Sequence, residues 1–167
     1  MGLDAAVFCD CVETKKLKVP HPFPRLLYIL KSGQPEIRSK DAAKVAAHDA
    51  WMELPPCKHQ DMMVDGCWLV NAGAAGVIRE ALSRAQKQSR IRFTILLNKV
   101  FYSGTHCGDF LTQAQIRKLD VELKQLRKLK LTDLGIATSD VKWTTEVIVN
   151  LARLVKVAQK VGKPIAF

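Results

Sequence analysis

The stretch TQAQIRKLDVELKQL, residues 112–126, decides the fold class. Its apolar residues recur at spacings of three, four and three, which places them on one face of a helix: Ile116, Leu119, Leu123 and Leu126. Thr112 is a residue type typical of a helix N-cap. Ser139 is placed to cap a similar apolar stripe, which Gly162 and Pro164 end. The sequence therefore predicts two long amphipathic helices near the C-terminus.

Shorter elements precede these helices. Alternating or β-branched runs predict strands near residues 3–11, 26–30, 36–38 and 62–70, with 91–101 as the strongest strand candidate and 62–70 alternatively a hairpin. Ser39 and Asn71 are candidate caps for helices over about 41–52 and 72–86. The apolar tail after Pro164 is expected to form an edge strand or to lie against the core. Together the pattern predicts one α+β domain, residues 1–167, with a small, mostly antiparallel sheet packed with about four helices.

Length and composition narrow the class of protein. The chain has 167 residues, 48% hydrophobic and 25% charged, which is the range of globular domains. No apolar run approaches the roughly 20 residues that span a bilayer, so we expect no membrane partner. The N-terminus carries no secretory signal pattern, so we expect a cytoplasmic protein. Five cysteines are an odd number, which favours reduced thiols over a disulfide framework.

The net charge of +10 lies entirely in the second half of the chain. Residues 1–78 carry nine basic and nine acidic side chains, whereas residues 79–167 carry seventeen basic and seven acidic ones. Such asymmetry favours an acidic partner, which could be a protein, an anionic surface or nucleic acid. No nucleic-acid-binding motif accompanies it, so nucleic acid is the less favoured partner. The candidate partner-binding residues are Lys58, His59, Asp61, Arg117, Lys124, Arg127 and Lys128.

Three local groups carry metal-ligand side chains: Cys9-x-Cys11, Cys57-x-His59 with Cys67 further on, and His106-Cys107-x-Asp109. Zinc accepts such ligands, but the spacings differ from the C-x₂₋₄-C and H-x₃₋₅-H pairs of compact zinc loops. A metal site would have to be assembled from distant segments, with Cys57, His59, His106 and Cys107 as its candidates. Cys9 and Cys11 share a face if they lie in a strand, and we interpret them as core residues. The favoured expectation is that the chain uses no cofactor.

The same His106-Cys107 group suggests a thiol nucleophile. Cys107 could attack, His106 could act as its base and Asp109 could orient the base. Neighbouring residues usually point in different directions, however, and such groups normally converge from separate segments. We therefore favour a structural loop whose glycines permit positive φ, and keep a metal- or thiol-dependent enzyme as the alternative.

Several blocks together resemble a family of small single-domain bacterial proteins. They are the opening MGLD with Cys9-Asp10-Cys11, the Cys57-Lys58-His59 loop, LNKVFYSGTHCGD over residues 97–109 and the closing GKPIAF. The block SGTHCGD is the most specific, and the family resembles the immunity proteins encoded beside polymorphic or secreted toxins. The resemblance implies a non-enzymatic protein that binds and blocks a cognate toxin, and it carries over no catalytic residues.

Overall fold

A computed structural model describes residues 2–88, 91–102 and 108–167. Its strands are β1 (Gly2–Phe8), β2 (Leu27–Ile29), β3 (Pro35–Ile37), β4 (Met63–Asn71), β5 (Phe110–Leu111) and β6 (Ile165–Ala166). Side chains alternate along β1, so that Leu3, Ala5 and Val7 are buried against the helices. This alternation leaves the opposite face of the strand more open and fixes its register.

The main sheet has the order β4-β1-β6-β5, and its pairings are antiparallel. β1 and β4 make the longest pairing, with Ala5 opposite Cys67. β4 is one continuous strand, so the alternative of a hairpin at Asp65-Gly66 is wrong. The apolar tail forms β6 between β1 and β5, so the edge-strand alternative is wrong and the alternative of a tail packed against the core is confirmed. Ile165 is fully buried there, which explains the apolar character of the tail.

A separate two-stranded sheet is formed by β2 and β3, as the turn residues between them predict. Gly33 adopts a φ of 91° in the connecting turn, a conformation that glycine reaches without a side-chain clash. Gly33 packs beside Phe8 and Pro164. The hairpin therefore lies next to the open face of the main sheet.

Four α-helices complete the described part of the fold: α1 (Ala42–Glu53), α2 (Ala72–Gln88), α3 (Gln113–Leu126) and α4 (Val141–Val161). Thr112 and Gln115 form a capping box at the start of α3. Asp41, rather than the predicted Ser39, caps α1 by accepting from the Ala43 N–H at 3.0 Å. Ser139 lies in a 3₁₀ turn, and α4 begins two residues later. The predicted α+β architecture with two long C-terminal amphipathic helices is confirmed.

The predicted strand over residues 91–101 is wrong. The helical conformation begins at Thr94, and this helical segment ends with the π-helical turn Leu96–Val100. Glu122 on α3 accounts for this, because its buried carboxylate accepts from the Ile95 N–H at 2.8 Å and from the Leu96 N–H at 2.9 Å. A carboxylate at this position satisfies the first amide donors of the turn and complements its dipole. This tertiary contact outweighs the strand preference of the local residues.

The buried apolar residues form two clusters. The larger one joins β1 to α2, α3 and α4 and includes Leu119, Leu151 and Leu154, each fully buried. A buried leucine of this kind contributes about 1.5–3 kcal/mol. The smaller cluster consists of Cys9, Cys11, Trp51, Cys57 and Met62, and it gathers three cysteines.

Within the described residues, none of the helices is both long enough and apolar enough to cross a membrane.

Candidate metal centre

Two segments far apart in the sequence meet at the smaller cluster. The first is the exit of β1, where the Cys9 N–H donates to the Met62 carbonyl at 2.8 Å. The chain then turns back, and the Lys16 N–H donates to the Cys11 carbonyl at 2.8 Å. Cys9 thus lies at the end of the strand and Cys11 lies in the following turn. Both thiols point into the protein, where they are 6% and 1% exposed.

The second segment follows α1, which ends before Pro55 and Pro56. The Pro56 carbonyl accepts from the Lys18 N–H at 2.7 Å, which ties this loop to the segment after β1. Cys57 follows directly and is buried, whereas His59 is partly exposed. The prolines therefore end the helix and deliver the Cys57-x-His59 pair to the exit of β1.

The four potential ligand atoms lie within 4.8 Å of one another: Cys9 Sγ, Cys11 Sγ, Cys57 Sγ and a His59 ring nitrogen. The Cys9 and Cys57 sulfurs are 3.8 Å apart. His59 Nδ1 is 3.4 Å from the Cys11 sulfur and 3.7 Å from the Cys57 sulfur. The side chains thus converge on a common centre.

These separations match the edges of a zinc coordination tetrahedron. Zn–S bonds of about 2.3 Å and a Zn–N bond of about 2.0 Å give S–S edges of about 3.8 Å and S–N edges of about 3.5 Å. The observed sulfur–sulfur distance is 3.8 Å, and the two sulfur–nitrogen distances are 3.4 and 3.7 Å. Three of the six edges thus have the lengths that a Zn²⁺ ion requires, and the remaining pairs of atoms lie within 4.8 Å.

Burial raises the pKa of the Cys9 thiol to about 12 when no cation is bound, and it also raises the pKa of Cys11. A reactive cysteine needs the opposite shift, because the thiolate is the nucleophile. A divalent cation reverses the effect of burial, because its charge favours the deprotonated ligand. The environment of Cys9 consequently opposes nucleophilic catalysis and is compatible with metal binding.

Trp51 forms one wall of the smaller cluster, and its Nε1 donates to the Val19 carbonyl at 3.0 Å. A buried histidine pair lies behind it. His21 Nε2 and His48 Nδ1 are 3.0 Å apart, and the His21 ring packs edge-on against the Trp51 ring at 4.7 Å. The Phe23 N–H donates to His21 Nδ1 at 3.0 Å. This network fixes Trp51, and through it the packing around the cysteines.

A cavity of about 310 Å³ opens beside the four ligand atoms. Three lysines line it, Lys16, Lys58 and Lys163, together with His59. Lys163 also pairs with Glu13. The cavity gives solvent and ions a route to the side of the cluster where the least buried ligand, His59, lies.

The structure brings together only part of the metal site considered from the sequence. Cys57 and His59 lie in the cluster, but the other two candidates, His106 and Cys107, fall outside the described residues. Cys9 and Cys11 are buried as expected, yet they also converge on Cys57 and His59, which the sequence interpretation missed. The sequence feature that could have indicated this site is the one-residue spacing shared by the two pairs, Cys-x-Cys and Cys-x-His. Cys67 is half-buried in β4 and belongs to the main sheet instead.

Of the proposed catalytic group, only Asp109 is described. Its carboxylate accepts a hydrogen bond from the Tyr102 hydroxyl, and its carbonyl accepts from the Phe167 N–H at 2.9 Å. Asp109 thus helps to hold the start of β5 beside the C-terminus. His106 and Cys107 lie outside the described residues, so the thiol hypothesis stays a prediction.

The candidate partner-binding residues fall into two groups. Lys58 and Asp61 are exposed next to the cluster, with His59 between them in the same loop. The other four lie on or just after α3 and are exposed: Arg117, Lys124, Arg127 and Lys128. Lys124 pairs with Asp120 at 2.7 Å one helical turn away.

The chain matches no protein-family model, no curated protein and no solved structure.

Proposed function

We propose that the chain is a zinc-binding protein in which Cys9, Cys11, Cys57 and His59 hold one structural Zn²⁺. The observation that carries the proposal is the convergence of these four ligand atoms within 4.8 Å of one another. Three thiolates and one imidazole form a common donor set of structural zinc sites. Soft sulfur donors in a tetrahedral arrangement favour zinc over magnesium or calcium.

A structural role is supported by the number and burial of the ligands. Catalytic zinc sites usually keep one position for water or substrate, whereas four protein ligands complete the tetrahedron. Cys9, Cys11 and Cys57 are at most 6% exposed, which restricts access of a substrate to the ion. The ion would cross-link the exit of β1 to the loop after α1. These two segments are far apart in the sequence.

Metal analysis of the purified protein tests this proposal. We expect about one zinc per chain, and we expect Cys57→Ser and His59→Ala each to reduce the zinc content severely. Cys67→Ser is the matched control, because Cys67 lies outside the cluster, and it should keep its zinc. The proposal would be contradicted if the parent protein, expressed in zinc-supplemented medium and purified without chelator, contained no metal.

We further propose that the biological role is non-enzymatic, as an immunity protein that binds and blocks a cognate bacterial toxin. The exposed basic side chains of α3 support binding of an acidic partner protein. Co-purification with the product of the neighbouring reading frame tests this role, with protection of cells that express that product as the readout. If the two products neither bind nor show protection, the immunity role is wrong, while the zinc site is unaffected.

A further inference from the structure

A shallow groove of about 770 Å³ runs between α3 and the segment that leads into the π-helical turn. Its apolar lining consists of Val121, Ile91 and Ile95, of which Ile95 is largely buried at 6% exposed. Val121 is 53% exposed, which is high for a branched apolar side chain at the centre of an amphipathic helix. Burial of that side chain against a partner would be favourable at about 25 cal/mol per Å² of apolar area.

The walls of the groove are held in place by Glu122. Its carboxylate accepts from the Ile95 and Leu96 N–H groups, so the turn is pinned to α3. Glu122 is only 6% exposed, and these hydrogen bonds occupy both of its oxygens. The groove is therefore preformed, which lowers the entropy cost of binding.

The rim of the groove is positively charged. Arg92, Arg117 and Lys118 line it and are exposed. In the part of the chain that the structure describes, none of the ion pairs involves these three side chains. Glu122 is the one acidic side chain in the lining, and it faces the backbone of the turn. An acidic ligand would therefore gain three charge pairs here without losing existing ones.

We propose that this groove docks an acidic amphipathic helix of a partner protein. Its apolar strip between cationic edges is the complement of a helix with an apolar stripe and acidic flanks. One wall is α3, and the other is irregular over residues 91–93 and helical from Thr94, so the described lining contains no β-strand edge for an extended peptide. Its described lining contains no aromatic ring on which nucleic-acid bases could stack. The assignment of this groove rests on the proposed partner-binding function and does not depend on the metal.

The test uses a synthetic peptide of about 18 residues, about 27 Å long as a helix, with leucine on one face and glutamate on the flanks. Binding of the fluorescently labelled peptide to the intact protein is measured by anisotropy at several salt concentrations. The groove variants are Arg117→Glu with Lys118→Glu, and separately Val121→Ser. The matched control is Lys156→Glu with Lys160→Glu, two exposed α4 cations outside the groove lining. A peptide of the same composition, with leucines spread around the helix, tests the apolar stripe.

We expect the charge reversal in the groove to weaken binding more than about tenfold and Val121→Ser to weaken it about threefold, while the α4 control changes it less than about threefold. The scrambled peptide should bind at least about tenfold more weakly. Equal binding of the two peptides, or an equal loss in the α4 control, would show that only net charge is sensed and would overturn the proposal. The proposal would also be overturned if duplex or single-stranded DNA bound more tightly than the peptide and the groove variants abolished that binding.

Failure of the groove and failure of the immunity role can be told apart. If the cognate toxin is still neutralised by the Arg117→Glu, Lys118→Glu variant, the groove is wrong and the immunity role stands. If the peptide binds as predicted but no toxin is found, the groove stands and the immunity role fails.

Discussion

Removal of zinc should lower the stability of the protein without unfolding its main core. The larger apolar cluster contains none of the four ligands, so the contacts among β1, α3 and α4 do not depend on the ion. The smaller cluster contains three of them, and it would lose the cross-link between two segments of the chain. The apo protein should therefore remain folded around α3 and α4 and open locally near residues 9–20 and 51–62.

The size of the effect follows from linkage. A ligand that binds only the folded state stabilises it by about 2.7 kcal/mol at a free concentration 100 times its dissociation constant. For a domain of 167 residues, each kcal/mol shifts the Tm by roughly 2–4 °C. At a free zinc concentration 100 times the dissociation constant, the Tm should thus be roughly 5–11 °C higher than in excess chelator, provided that zinc does not bind the unfolded chain.

Calorimetry of the parent and of two variants measures the shift. Cys57→Ser removes a ligand and should abolish the response to zinc, whereas Cys67→Ser should respond as the parent does. Hydrogen exchange should show loss of protection in the chelated protein near residues 51–62 and retained protection in α4. A Tm that is equal with zinc and with chelator, or an equal response in Cys57→Ser, would refute the reasoning.

Three further outcomes are expected. Glu122→Gln replaces one carboxylate oxygen by an NH₂ group, which cannot accept a hydrogen bond from the backbone N–H that it faces. The free energy of urea unfolding should fall by roughly 2–4 kcal/mol, with the exposed Glu146→Gln as control. A loss below about 0.5 kcal/mol would count against the pinning role of Glu122. Burial lowers the pKa of His21, so the stability it contributes is present above its ordinary pKa of about 6.5 and is lost as the pH falls through the lowered value. In a His59→Ala background, which should no longer bind zinc and lacks the imidazole of the site, His21→Gln should flatten the fall in Tm between about pH 7.5 and 5.5. An unchanged slope would show that the buried histidine pair does not control it. Thr112→Ala removes half of the capping box of α3 and should cost about 1 kcal/mol, whereas Thr112→Ser should cost little.

The long helices could be predicted because local signals and burial agree there. In α3, Thr112 caps the helix and Leu119 and Leu123 fall on its buried stripe. The segment after Ile91 misled the prediction because its β-branched residues favour a strand. Its fully buried residues Phe93, Leu96 and Val100 follow helical spacings of three and four, but Glu122, 22 residues beyond Val100, supplies the hydrogen bonds that decide the conformation.

The cluster of cysteines could be predicted only in part. Each pair, Cys9-x-Cys11 and Cys57-x-His59, has too short a spacing to surround an ion alone. Their meeting depends on the pairing of β1 with β4, which places Phe8 opposite Met63 and so brings the loop before β4 to the exit of β1. Such a long-range pairing cannot be deduced from the local pattern of either segment.

X-ray absorption at the zinc edge of the purified protein tests the central claim most directly. The account predicts a four-coordinate ion with three sulfur neighbours at about 2.3 Å and one nitrogen neighbour at about 2.0 Å. Cys57→Ser should replace one sulfur by oxygen or release the ion. A first shell made mainly of oxygen and nitrogen, or a sulfur shell unchanged in Cys57→Ser, would contradict it.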